Sequence, residues 1–370
     1  MTRNSINSIT GATQQGHLFD VNAIKPGGEF YLAFAIPKAS EDQLTELLSL
    51  LTAWGTTDNG LGRNTRNSQG QFELREIRVK GVEAQTYKTW LTQDGGTDLG
   101  EYTQVLPLVA QPITYRDDSL KLKVKLVPLS PIFVSDGKNL KGKKEEGHQS
   151  ANAVKNSDGN YIIPSTSARG SFRSLGRKIL LTLLQQQGPE AEATANNLLQ
   201  VLFGGEKHAS SITLTIFTAH QSESVAQAFI AIDRFTGGVK GGTQSQATAG
   251  ANYTIEKPLV DYYLGEIIIN DLLMKPENYA QLAIFLFVLR DLMQGEMLFG
   301  GLKGKGFGKA KAEIQIGESE TWLTNWQAFE KAWHQQKLPD FAQLLTALQQ
   351  QIQGQQTKEE NKKNVKEAQA

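Results

Sequence analysis

Two groups of residues have the types and spacing needed to hold a phosphate backbone. The first is Ser165-Thr166-Ser167, followed by Arg169 and Arg173. Hydroxyls at the start of a helix add donors to its outward-pointing first amides, and such an end attracts phosphate oxygens. Arg169 and Arg173 are four apart and share one helix face. Each guanidinium fork can hold a phosphate in bidentate fashion. Taken alone, these residues also describe an N-cap with two solvated arginines. The second group is GGLKGKGFGK (300–309). Its glycines let backbone approach a ligand closely. Lys303, Lys305 and Lys309 add charge, and Phe307 is of a type that stacks on bases. The same stretch also reads as a plain helix-to-strand turn. It is not a Walker loop, because the spacing is wrong and a strand follows.

Hydrolytic chemistry has thinner support. Asp136, Glu145, Glu146, His148 and Asp158 lie in a polar stretch over 135–160. Asp136 in Ser-Asp-Gly and Asp158 in Ser-Asp-Gly-Asn read as turn residues. His148 is of a type that moves protons, but a lone loop histidine is usually solvated. Asp233 beside Arg234 reads by itself as a local ion pair.

The chain has 370 residues, 39% hydrophobic and 21% charged, and no cysteine. About two domains are expected at that length. Thiolate metal sites, disulfides and a cysteine nucleophile are excluded. No apolar run reaches the roughly 18 residues of a membrane span, and MTRNSINSITGATQQG has no signal-peptide core. A cytoplasmic location without a membrane partner is the expectation. Net charge is zero, against the basic excess common in nucleic-acid binders. The cations are clustered, however: Lys121, Lys123 and Lys125; Arg169, Arg173, Arg177 and Lys178; Lys303, Lys305, Lys309 and Lys311. A local stripe matters more than the sum.

The elements that must position these residues follow from periodicity. Strands are expected at 28–36, 72–79 and from Leu120, then at 211–220, 228–235 and from Gly265. A helix capped by Ser40 should run to Trp54, with Leu44, Leu47, Leu48 and Leu51 on its apolar face. Further helices are expected after Pro164, from Pro276 to Met293, and over 320–353 with Trp322, Trp326 and Trp333. Residues 237–254 read as a flexible arm and 354–370 as a disordered tail.

Part of this pattern occurs twice. Thr10-Gly11-Ala12 leads to a strand, a helix and Asn59-Gly60-Leu61-Gly62-Arg63. Thr236-Gly237-Gly238 leads to a strand, a helix and Lys305-Gly306-Phe307-Gly308-Lys309. The second copy is preceded by another strand–helix–strand block and the first is not. The expected domains are therefore a half-module at 1–110, a whole module at 115–318, a helical extension at 319–353 and the tail at 354–370.

Four segments of the whole module resemble the RAMP superfamily of CRISPR proteins. IIPSTSARGSFR (162–173) resembles the family's Ile-Ile-Pro-Gly-Ser-Ser-Leu-Lys-Gly-x-x-Arg motif, and Leu202-Phe203-Gly204-Gly205 its Leu-Phe-Gly segment. Ala231 to Gly238 resembles the Ile-Asp-Arg-x-Thr-Gly start of the thumb hairpin, and residues 300–309 the C-terminal glycine loop. Residues 10–79 are similar to the last two motifs only. The resemblance implies an α+β, ferredoxin-like (RRM-like) module with a thumb hairpin. It implies a backbone subunit of a type III antiviral complex that binds guide RNA and complementary target RNA beside other RAMP subunits and a polymerase-like large subunit. Its RNA-binding residues would be Arg63, Ser165, Thr166, Ser167, Arg169, Arg173, Lys178, Asp233, Arg234, Phe235, Thr236, Lys303, Lys305, Phe307 and Lys309. Subunits of this kind that cut RNA use a loop aspartate upstream of Ile-Ile-Pro, with Mg or Mn; binding alone needs no cofactor. Residues 147–155 read GHQSANAVK, without a carboxylate, and Ser150 or a neighbour takes the expected place. Cleavage by this chain is therefore not the preferred reading. Its rivals are a metal-dependent target-RNA endonuclease using Asp136, Glu145, Glu146 or His148, and a stand-alone RNA-binding protein.

Two strands and one helix bury too little surface to offset chain entropy. A 1–110 fragment should therefore show no cooperative melting, whereas a 115–320 fragment should melt as a unit. A dispersed amide spectrum from 1–110 alone would reject the half-module.

Overall fold

The computed structural model describes residues 2–3, 19–20, 24, 27–36, 38–56, 60–62, 70–79, 88, 92, 104–106, 119–136, 149–184, 189–205, 208–230, 232, 234–235, 237–238 and 252–367. The chain divides into two compact units, Glu29–Asp117 and the rest. Near the start, β1 (Thr2–Arg3) pairs with β2 (Phe19–Asp20).

In the smaller unit, α1 spans Glu41–Thr56. Ser40 caps it in a reciprocal box: the Gln43 amide donates to Ser40 Oγ at 3.3 Å, and the Ser40 amide to Gln43 Oε1 at 3.1 Å. Leu44, Leu47, Leu48 and Leu51 are only half-buried. Trp54 meets Phe72 edge-on at 4.8 Å between ring centroids. The strand expected over 28–36 does not form: the stretch pairs with no strand among the described residues, and Tyr31 is 94% exposed. Only Ile77–Val79 of the expected 72–79 strand forms a ladder, as β3 with β4 (Gln104–Leu106). Without a neighbour to accept its hydrogen bonds, an alternating pattern does not become a sheet strand.

In the larger unit, β5 (Leu120–Pro128) lies between β10 (Asn252–Ile269) and β12 (Lys309–Ile316), antiparallel to both. Its alternation works as expected: Leu122, Val124 and Leu126 are fully buried and the lysines between them face the other way. Parallel β6 (Gln149–Ala151) and short β7 (Ile162–Ile163) precede α2 (Ser165–Leu184). Next comes α3 (Pro189–Phe203), a helix the sequence pattern did not bring out. β8 (Ile212–Leu214) and β9 (Phe217–Ile230) both pair with β10. α4 (Tyr279–Met293) leads to β11 (Met297–Leu298), the edge of a sheet ordered β11-β12-β5-β10-β9-β7, with β6 and β8 also paired to β10. The strand–helix–strand–strand–helix–strand order is that of a ferredoxin-like module, with helices on one face.

Two sequence boundaries move. β9 and β10 form one long hairpin, from Thr218 opposite Leu264 to Ile230 opposite Asn252. Strand structure thus reaches into the expected arm, because each strand completes the other's ladder. The polar stretch 135–160 also holds β6 and the bridges Ser135–Ala153 and Lys155–Tyr161.

The core is continuous. Phe172 of α2 lies 6.4 Å from both Phe285 and Phe299. A side chain at Gly176 would sit 3.0 Å from Leu199, so this glycine lets α2 approach α3. α5 (Trp326–Gln335) and α6 (Phe341–Glu367) follow. Trp322 lies outside both helices. α6 continues through 354–367, where disorder was expected from polarity; Gln, Glu and Lys are good helix formers. Trp333 is fully buried, and its indole N–H donates to the Pro339 carbonyl at 2.9 Å. Replacing a buried tryptophan with alanine costs about 3–5 kcal/mol. Trp333→Ala should therefore lower the urea midpoint of the whole larger unit in one transition; a separate early transition would mark α5–α6 as an independent appendage.

Candidate nucleic-acid interface

α2 begins at Ser165, so Ser165, Thr166 and Ser167 occupy its first turn instead of preceding it. Ser165 is buried, Thr166 exposed and Ser167 half-buried. The arginines beyond them divide their work. Arg173 Nη1 donates to the Gly204 carbonyl at 3.2 Å, at the end of α3, and burial pulls its pKa down. Arg177 grips Glu192 of α3 with two hydrogen bonds, Nε to Oε2 at 2.7 Å and Nη2 to Oε1. Arg173 thus ties α2 to the end of α3 through one of its guanidinium nitrogens. Arg169 is half-buried beside it, and Lys178 is exposed.

The glycine loop is built against its own chain. The Gly301 amide donates to Phe133 O at 2.7 Å and the Gly308 amide to Pro131 O at 2.8 Å. At Gly300 (φ 70°) a Cβ would stand 2.3 Å from Phe133 O; at Gly308 (φ 94°) it would stand 2.2 Å from Phe299 O. These two glycines admit the protein's own backbone, whereas Gly304 and Gly306 face open space. Phe307 is 5% exposed and packs on Phe229 at 6.1 Å, so its ring is not presented to a base. The apolar side chain completes the core instead. Lys305 Nζ lies 4.3 Å above the Phe229 ring. Desolvation lowers the pKa of Lys303, although much of its side chain meets solvent. Lys309 is exposed.

A second ladder carries the hairpin to this loop. β10 pairs on one side with β9 and on the other with β6, Tyr253–Gln149 through Ile255–Ala151. Beyond β6, the Asp136 amide donates to Asn152 O at 3.0 Å and the Val154 amide to Val134 O at 2.8 Å. The same segment accepts from Gly301 through Phe133. Glu256 fastens this arrangement. It accepts from Tyr161 Oη, from Lys155 Nζ at 2.8 Å and from the Ala153 amide at 3.2 Å. Burial works against ionising Glu256, but these donors outweigh it and hold its pKa below the ordinary 4.5. The hydrogen bond to Glu256 raises the Lys155 pKa in turn. Sequence reasoning missed this cluster. Tyr161 and Glu256 are 95 residues apart, and no local pattern links them.

Near the hairpin end, Arg234 and Phe235 are exposed, Phe235 at 93%. Arg63, Asp233, Thr236, Glu145, Glu146 and His148 lie outside the described residues. Among the described residues no three His, Asp or Glu side chains gather as a metal site. Ser150 is in β6, opposite Thr254. Among the described residues no helix is long and apolar enough to cross a membrane. The geometry therefore brings the glycine loop, the 133–136 segment, β6 and the hairpin into one connected surface.

A family model described as the RAMP superfamily matches residues 125–311, about half of the chain. The match runs from β5 into β12 and contains every motif of the whole module. No curated protein matches the chain.

The Glu256 cluster predicts an acid-sensitive hairpin base. A carboxylate whose folded pKa is depressed contributes stability above its unfolded pKa and loses it as pH falls through the folded value. Glu256→Gln, losing charge-assisted bonds, should cost about 1.5–3 kcal/mol at neutral pH. The difference in melting temperature from the unmodified chain should shrink as pH falls below 4.5, the ordinary glutamate value. A difference independent of pH would contradict the ion-pair account.

Proposed function

Because this chain belongs to the RAMP superfamily, we propose that it is a guide-RNA-binding backbone subunit of a type III CRISPR antiviral complex. The family membership implies a CRISPR-associated RNA-binding module. One observation carries the finer reading: Lys305 of the glycine loop lies on Phe229 of the long hairpin, so cationic loop and arm form a single surface. Such a surface suits a backbone reader. Pairing between guide and target supplies sequence specificity, while protein contacts phosphate and shape.

In this reading Thr166, Ser167, Arg169, Lys178, Lys303, Lys305 and Lys309 hold guide phosphates. Arg234 and Phe235, near the exposed hairpin end, press on the guide–target duplex. The partners are guide RNA, target RNA, neighbouring RAMP subunits and a polymerase-like large subunit in the cytoplasm. The subunit binds without cutting, because residues 147–155 offer no carboxylate and Ser150 is engaged in a strand. A cleavage ladder with magnesium or manganese checks this point: loss of one product on Asp136→Ala would identify an endonuclease.

Arg169→Ala combined with Lys305→Ala should weaken binding of single-stranded RNA about equally for unrelated sequences. Each lost phosphate contact should lower the salt slope by about 0.7. Unchanged affinity and slope in a filter-binding titration would reject the phosphate role. Purification from the host separates a complex subunit from a stand-alone binder: only the former brings down a guide RNA and partner proteins.

A further inference from the structure

The smaller unit repeats part of the larger one without a gap. At one constant offset Gly28-Glu29 falls on Gly265-Glu266, α1 on α4 to within a residue, and 72–79 on β12. Gly60, which bridges Gln71, falls on Met297, the start of β11. In the larger unit β10 and β12 are held apart by β5, which pairs with both. In the smaller unit no strand takes the place of β5 among the described residues: 28–36 is unpaired, and β3 pairs with β4 alone. Burial records the difference. Ile267, Ile269, Ile314 and Ile316 are fully buried, as are Ile284, Phe285 and Val288 of α4. At the matching positions Phe30 is 64% exposed and Leu32 54%, while Ile77, Val79, Leu47, Leu48 and Leu51 are only half-buried. Among the described residues of Glu29–Asp117, no hydrophobic side chain is buried.

The carboxylates recur with the strands. Glu266 opposes Lys123 of β5, and Glu313 opposes Lys125 and binds it at 3.2 Å. Glu29 and Glu76 hold the matching positions. With no lysine-bearing strand beside them, they meet arginines of their own unit: Arg75 Nη1 lies 2.8 Å from Glu29 Oε1, and Arg78 Nη2 lies 2.9 Å from Glu76 Oε2. All four side chains are exposed, and exposed pairs contribute little, so a competing cation displaces them readily. The open place therefore asks for a strand with apolar residues at every second position and cations between them. A second copy of this chain does not supply one. Its 28–36 stretch carries Glu29 and no basic residue, and its β5 is committed to its own sheet.

We propose that the smaller unit is a docking site for one strand of a separate polypeptide, alternating apolar and basic, that pairs antiparallel with both 28–36 and 72–79. Its apolar side chains cover Phe30, Leu32, Ile77 and Val79, and its cations meet Glu29 and Glu76. In such strand addition the main chain supplies affinity and the alternate side chains supply specificity. The inference rests on the repeat and not on the guide-binding reading.

The test uses the full chain and, as probe, a labelled synthetic peptide with the sequence of β5, LKLKVKLVP. Its fluorescence anisotropy should saturate on titration, and amide hydrogen exchange should slow in 28–36 and 72–79. Replacing the three lysines of the peptide with glutamate should weaken binding about tenfold, because like charges then stand opposite one another. Glu29→Lys with Glu76→Lys should reverse that preference. Leu32→Pro removes an N–H that the added ladder needs. It should abolish the slowing while the larger unit keeps its melting temperature. Exchange unchanged by the peptide, equal affinity for the two peptides, or slowing that survives Leu32→Pro would overturn the proposal. So would exchange in 28–36 that slows with rising protein concentration and no peptide, which would assign the place to a second copy. None of these measurements involves RNA, so failure of the guide-binding reading would leave them as they are.

Discussion

The larger unit depends on the pairing of one long strand, β10. This strand has 18 residues, and its two ends serve different neighbours. Tyr263 to Ile269 pairs with β5 inside the sheet, while Tyr253 to Ile255 pairs with β6 beside the hairpin. A strand cannot slip by one residue without turning every side chain to the opposite face. The apolar register Ile267–Leu122 thus fixes the polar register Ile255–Ala151 further along the same backbone. Pro258 falls in the stretch where β9 is the paired neighbour, the kind of edge where a missing N–H is tolerated. Glu256 sits close by and joins the hairpin to Lys155, Tyr161 and the Ala153 amide.

Packing also explains how a chain of zero net charge can carry exposed cations in local groups. Several cations serve the fold. Arg173 and Arg177 fasten α2 to α3, Lys155 completes the Glu256 cluster, and Lys125 is held between rings and Glu313. Their partners are the carboxylates and carbonyls that packing brings near. Exposed cations such as Lys123, Lys178 and Lys309 lie where strand alternation and helix phase direct them. Net charge counts both groups alike, so it is a poor guide to a local potential.

The glycine loop shows a similar division. Gly300 and Gly308 are required by the chain's own carbonyls, and Gly304 and Gly306 leave backbone open. Leu302 holds a left-handed conformation without being glycine, at φ 57°. Such residues persist where surrounding structure over-determines them, and here backbone hydrogen bonds to Pro131 and Phe133 brace both sides.

By itself the sequence determined the elements whose information is local: the alternation of β5, the Ser40 cap, the helix beginning beside Pro164, and four motifs in the order of one family. Period and capping are written into neighbouring residues, so they survive without the rest of the fold. What only the tertiary structure decided is which side chains of those motifs face outward. Phe307 turned inward because Phe229 covers it, and Arg173 turned to α3 because Gly204 O lies within its reach. The Glu256 cluster joins residues far apart in sequence. The strand over 28–36 failed to form a ladder for the converse reason: an apolar run states a preference, and only a neighbouring strand can satisfy it.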